Sequence, residues 1–485
     1  MKRQSLLTAA VAAACFVGSA HATNWFQLQG TEPSGIAAPF HLFGFIQPTY
    51  EDTGGTAVNG LRLLNGLPSP FNGAVPKFNE VAPQDTSMSS FNMLRARIAV
   101  RGTVTPISNK IDYFIMAEFG NNGYTYSNGS YTPRLTDASV TFNEIPGMRV
   151  RVGLFKTPGP EEVLQGIPDF DYINFTNVSA QLILNQFIGS AAAVQDLSPS
   201  GKPAPGYSVQ AAPINAGRDQ GIQLFDWFNN GPWQFAYAAM VGNGAPLYYN
   251  AQSNSTSYYG RLQESYIFHH SKGPHQAGVT AWVWSHLGHQ ALDVAAPAGG
   301  YTRQNYTFKR YGIGAQYRSG FMTPGALRVT GELMRGTGWI LSPAAFSGAA
   351  AGYNGAPACG GPGGNPLCTE TLYPGANNAA VGGYIETGFF VTKHWDLEAR
   401  YDQYDRMTNN PGLERIFKTT TLGVQYYISP MARITLNYAF NRINVPHLSA
   451  IKGATPAATA IAQGNASAVA SAKDNTIALQ TTLFF

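Results

Sequence analysis

From Thr23 to the last residue, apolar and polar side chains alternate in short runs, the period of a strand with one greasy face rather than of a helix. The clearest run sets Leu94, Ala96, Ile98 and Val100 against Arg95, Arg97, Ala99 and Arg101. Val150, Val152 and Leu154 likewise oppose Arg149, Arg151 and Gly153, and Leu397, Ala399 and Tyr401 oppose Glu398, Arg400 and Asp402. Near the carboxyl end, Ile434, Leu436, Tyr438 and Phe440 oppose Arg433, Thr435, Asn437 and Asn441. These patterns predict sixteen strands, near 40–50, 90–103, 109–119, 134–144, 147–156, 217–228, 231–242, 257–270, 275–287, 305–318, 325–339, 380–392, 394–406, 416–428, 431–443 and 474–485.

The connections alternate in length. Tight ones carry turn residues, as in Ile145-Pro146-Gly147, Asn230-Gly231-Pro232, Thr323-Pro324-Gly325 and Ser429-Pro430. Between them run long excursions, of which 157–216 is the longest. An even strand number, short turns on one rim and long loops on the other predict an all-β fold: a transmembrane antiparallel β-barrel with short periplasmic turns and long extracellular loops. The reason is closure, because in hydrocarbon every backbone donor and acceptor needs a partner and only an edgeless sheet supplies them. Trp227, Trp233, Trp339 and Trp395 fall near strand ends and are expected in the interfacial girdles. The small-residue stretch Gly453–Ala472 reads as a solvated linker on the rim.

Composition narrows the alternatives. Only 12% of the 485 residues are charged, against about 25% in ordinary globular chains. A mean hydropathy of −0.13, with no long apolar run past the amino end, excludes a multi-span helical protein. A 44% hydrophobic content excludes disorder, and a net charge of +4 gives no footprint for nucleic acid. Lys2 and Arg3, the apolar stretch Leu6–Val17 and Ala20-His21-Ala22 read as a secretory signal peptide over 1–22, leaving 23–485 as the barrel. In an exported chain, Cys359 and Cys368 predict a disulfide pinning a Gly/Pro-rich loop, and two cysteines alone are too few ligands for a metal site.

Two segments carry a family likeness. The closing residues Thr476–Phe485 alternate and end in Phe, resembling the terminal strand by which outer-membrane proteins are recognised by the barrel assembly machinery. The segment Leu94–Lys156 has an Arg-rich strand ending in Arg-Gly, an acidic-aromatic strand, Asp137-Ala138-Ser139-Val140, and a Pro-Gly hairpin closing on Gly153-Leu154-Phe155-Lys156. It resembles the phosphate-selective porin O/P family of Gram-negative outer membranes. The resemblance implies a porin, commonly a homotrimer, seated in outer-membrane lipid and lipopolysaccharide and passing phosphate or other small anions by passive diffusion, with no cofactor.

Parity then assigns the interior. Arg95, Arg97, Arg101, Arg149 and Arg151 are expected to project into the lumen, with Arg310, Arg318, Arg328, Arg400 and Arg433 opposite. Fixed guanidinium groups concentrate anions in a narrow channel and offer planar donors to their oxygens. The same parity carries Asp112, Glu118, Asp137, Glu332, Asp396, Glu398 and Asp402, so ion pairs that stiffen the wall compete with that reading. The 157–216 excursion is the candidate constriction loop. It holds Glu161, Glu162, Asp169 and Asp171 where the resembled family carries lysines. These acids either narrow the bore, or face its mouth, or bond the loop to the wall. Glu264 stands apart, a charge among lipid-facing residues, through a register shift or a contact between barrels.

Two other function classes fit less well. An enzyme would need a nucleophile elbow or a metal-ligand pair, and neither G-x-S-x-G nor H-E-x-x-H occurs, although His269, His270 and His275 cluster at one turn. A structural or adhesive barrel, its lumen plugged by its loops, would show no conductance.

Overall fold

The computed structural model describes residues 39–54, 57–62, 66–68, 89–127, 130–184, 195–196, 207–210, 217–244, 255–271, 275–295, 301–342, 369–471 and 473–485. The expected signal peptide, Cys359 and Cys368 lie outside them. Sixteen antiparallel strands close into one barrel. They are β1 (His41–Thr53), β2 (Ser89–Thr103), β3 (Ile111–Glu118), β4 (Arg134–Ile145), β5 (Met148–Lys156), β6 (Arg218–Asn230), β7 (Trp233–Gly242) and β8 (Thr256–Ile267). The second half is β9 (Gly278–Ala295), β10 (Tyr301–Arg318), β11 (Leu327–Gly338), β12 (Ala379–Phe390), β13 (Trp395–Arg406), β14 (Arg415–Ser429), β15 (Ala432–Asn444) and β16 (Asp474–Phe484). Each lies within a few residues of its predicted position except β9, which runs eight residues past its predicted end at 287.

β16 closes the sheet on β1, pairing Phe45 with Phe484 and Thr49 with Gln480. The Gly44 amide donates to the Phe485 carbonyl at 2.9 Å, so the terminal residue belongs to the seam. Two-residue turns join β4 to β5 and β6 to β7, and their Gly147 and Gly231 have φ of +78° and +59°, a region that L side chains resist.

Ile98, Ile115, Val152, Ile222, Leu262, Ile313, Leu333, Ile385, Leu422 and Leu436 form an exposed apolar belt, which identifies the outer surface as the lipid face. Trp233 and Trp395 sit on its short-turn rim as expected, with rings 4.9 Å from Tyr266 and 4.8 Å from Tyr426. Trp227 and Trp339 correct the girdle expectation. Trp227 is on the interior parity of β6, 4.0 Å beneath the Arg149 guanidinium, and Trp339 is buried against Phe308. Leu94 corrects the outward face of β2: the ladder slips between Gln47 and Pro48, Leu94 is the extra residue, and it turns inward against Ile173. Glu264 is outward and exposed, and its strand pairs without any slip. It lies close to the short-turn end of β8, where polar headgroups begin and a charge costs little.

Over the long-loop rim, Gln195–Asp196, Tyr207–Gln210, Thr369–Tyr373 and Ile340–Ser342 form a small four-stranded sheet. Gly453–Ala472 is not a linker. Pro456–Ser471 is a helix, α2, whose Ala462 and Ala466 pack on Ile451. Repeated alanines have the best helix propensity, and their small side chains let the helix lie close on the rim. Asn465 fixes it to the first long loop, accepting from the Arg62 amide (3.0 Å) and donating to the Arg62 carbonyl (2.7 Å).

Candidate functional site

The interior is organised by residues 157–184, which leave the long-loop end of β5 and run down inside the barrel. The first turn, α1 (Glu161–Leu164), is buried, and Glu161 forms an ion pair with Arg261 of β8. The Glu161 amide donates at 3.1 Å to Glu332 of β11. That carboxylate also accepts from Trp282 (2.8 Å), Trp284 (2.7 Å) and Tyr384 (3.1 Å), so four donors from two strands and the loop converge on it. Glu162 meets Arg400 at 3.3 Å, and Arg400 also donates to the Asn174 carbonyl and lies 4.2 Å over the Tyr172 ring.

The loop reaches the short-turn mouth. Asp171 pairs at 2.8 Å with Arg328, the second residue of β11 from that rim, and Arg433 donates to the Phe170 carbonyl. Asp169 contacts His275, which belongs to the turn between β8 and β9, at 3.1 Å. Arg318 donates to His275 Nδ1 at 3.0 Å, and since a guanidinium only donates, the neutral ring has its proton on Nε2 facing Asp169. Burial lowers the His275 pKa, with Arg318 adding to the effect and Asp169 opposing it. Burial by itself raises the Asp169 carboxyl, but the His275 hydrogen bond and the charges of His275, Arg433 and Arg318 hold it below its usual range.

The returning segment is pinned as firmly. Asn177 donates through its amide and side chain to Asp402 at 2.8 and 2.7 Å, and the Ile173 amide donates to Asn437 at 2.9 Å. Val178 and Leu182 then enter an apolar cluster with Trp282, Trp284, Met334, Tyr384, Tyr404 and Phe417. This cluster lies inside the barrel, where parity alone predicts polar groups. Glycines make the seat: a Cβ on Gly382 would stand 2.7 Å from Val178, and one on Gly336 would stand 2.7 Å from Leu182.

Each singled-out arginine has an assigned partner. Arg97 pairs with Glu118 (2.6 Å), Arg149 with Asp226 (3.1 Å), and Arg328 with Asp396 (3.3 Å) and Glu398 (3.0 Å) as well as Asp171. Arg310 donates to the Thr337 and Trp339 carbonyls, Arg151 to Thr141, Arg95 to Gln47, and Arg433 also to the Tyr427 hydroxyl. Arg101 lies 5.4 Å over Phe43. Arg95, Arg97, Arg151, Arg310, Arg318, Arg328, Arg400 and Arg433 are all buried, while Arg101 and Arg149, toward the short-turn mouth, are half-buried. The acids of the loop thus divide among wall partners on β8, β11, β13 and the β8–β9 turn. On the other side of the loop, Arg95, Arg97, Lys156 and Arg218 remain, of which Arg218 pairs with Asp137 at 3.0 Å.

Three interior groups were not singled out from sequence. Arg261 lies on the inner parity of β8, Arg218 sits at a strand start beside the long loop, and Lys156, quoted above only as the end of the hairpin motif, is the last residue of β5. Only the fold shows that all three face the loop.

No family model matches this chain, and no curated protein does. Among solved structures it is similar to the anion-selective porin from Comamonas acidovorans (12% identity, 93% of this chain and 100% of that one, TM-score 0.47). It is also similar to the outer membrane channel DcaP of Acinetobacter baumannii (10%, 92% and 97%, 0.47) and to Salmonella typhi OmpF in complex with daunomycin (10%, 92% and 97%, 0.48). The barrel assignment itself rests on the strand ladder.

Proposed function

We propose that the chain is an outer-membrane porin whose bore is narrowed by the inserted loop, passing small hydrophilic solutes by diffusion with anions favoured. The supporting observation is the contrast between an apolar outer belt and an interior lined with arginines, carboxylates and amides, which suits water and ions and no lipid. The lean to anions comes from the side of the lumen between β2 and β6. There the loop's acids point away, and Arg95, Arg101, Arg151 and Lys156 face inward. A specialised phosphate channel, a homotrimer and biogenesis through the barrel assembly machinery extend this proposal by resemblance. The acids at the loop weaken the phosphate element.

A second reading, a barrel plugged by its own loop, is favoured by the burial of nearly every interior arginine. Planar-bilayer recording separates the two. A small conductance whose reversal potential in a salt gradient lies toward the anion equilibrium supports the porin, and block by added phosphate supports the finer assignment. Absence of current from well-folded protein supports the plug and rejects the porin. A cation-directed reversal potential rejects the anion preference alone.

A further inference from the structure

Between the inserted loop and the β2–β5–β6 wall lies a cavity of about 20 Å³, enough for one water-sized body. Arg95, Arg97, Lys156 and Arg218 line it from the wall, with Val163 and Phe175 from the loop. Glu118 neutralises Arg97 and Asp137 neutralises Arg218. Arg95 and Lys156 are also buried, and neither has a carboxylate within ion-pair distance among the described residues. Lys156 donates to the Leu164 and Gln165 carbonyls, at 3.2 and 2.5 Å. Arg95 gives Nη1 to Gln47, while its buried Nη2 has no hydrogen-bond partner.

Two cationic charges in excess, removed from water at one cavity, are a costly arrangement for a folded chain to keep. A monatomic anion is attracted by both groups, cancels one of the two excess charges and accepts the Arg95 Nη2 hydrogen. The chamber has room for such an ion. We infer that this cavity is a resident halide site, filled by chloride, that ties the inserted loop to the β2–β5–β6 wall. The loop then has carboxylate contacts on its far side and an ion-mediated contact on its near side. The inference goes beyond the transport proposal, since a plugged barrel would hold the same ion.

The test uses full-length protein folded in detergent micelles and reads no current. Crystals grown with bromide should show an anomalous peak in the cavity, in contact with Arg95 and Lys156. The melting temperature should rise saturably with chloride or bromide over sodium gluconate at equal ionic strength. R95Q and K156M should each abolish that rise, whereas K110Q, at an exposed ion pair on a turn, should keep it. A water in the cavity with no anomalous signal overturns the inference, as does a halide response unchanged in both variants. If neither variant assembles, the wild-type bromide map decides alone.

Discussion

Arg328 offers the sharpest perturbation of the loop. Its buried guanidinium touches three carboxylates, Asp171 of the loop at 2.8 Å and Asp396 and Glu398 of β13 at 3.3 and 3.0 Å. In R328M the three acids face one another with no cation between them, and Gln425, donating to Glu398 at 2.6 Å, is a partial substitute. Removing one partner of a buried pair costs about 3–5 kcal/mol, and R328M is expected in that range. D171N leaves Arg328 with both β13 carboxylates, so it forfeits one charged hydrogen bond, about 1.5–3 kcal/mol. Urea unfolding in detergent, followed by tryptophan fluorescence and by the gel mobility of folded barrel, measures both. In bilayers both variants should raise conductance, because each frees the loop at the short-turn mouth. If D171N costs as much as R328M, or R328M costs under about 1 kcal/mol, Arg328 does not neutralise the β13 acids and the reasoning fails.

Other perturbations test other anchors. His275 has a lowered folded-state pKa, so its stabilising contribution is complete above its ordinary value of 6.5 and is lost as pH falls through the lowered one. Asp169, also lowered, contributes above the usual 3.8 and loses that contribution in stronger acid. Conductance recorded against pH should therefore rise in two steps on acidification, and H275Q should remove the upper step. G382A should cost about 1–3 kcal/mol, since the new Cβ meets the Gln403 carbonyl at 2.6 Å as well as Val178. G336A, which meets only the movable ends of Leu182 and Arg310, should cost less, and denaturant midpoints compare the two. N465A removes two hydrogen bonds to Arg62, about 1–3 kcal/mol locally, and should speed proteolysis near 57–62 without moving the global melt.

The wall was legible because its two faces meet different solvents, and a period of two survives any loop length. Ile98 and Arg97 could be placed on opposite sides from that rule alone. It fails where the interior is not water. Trp282 and Trp284 sit on the inner parity, yet they pack against Val178 and Leu182 and donate to Glu332. A two-letter pattern has no symbol for an apolar core inside a barrel. Leu94 escaped for another reason, since one inserted residue inverts the parity of β2 while the proline at the slip, Pro48, stands on the facing strand β1. The acids of the loop were visible as acids, but their choice of wall over bore depends on arginines far along the chain. In α2 the helix was hidden by composition, because Ala-rich sequence without charge reads alike as spacer or as helix.

The distance between those partners in the chain has a temporal consequence. Glu161 waits for Arg261, 100 residues on; Asn177 for Asp402, 225 on; and the Phe170 carbonyl for Arg433, 263 on. None of these partners exists on the nascent chain when the segment itself is made. The insert can therefore settle only after the later strands have arrived.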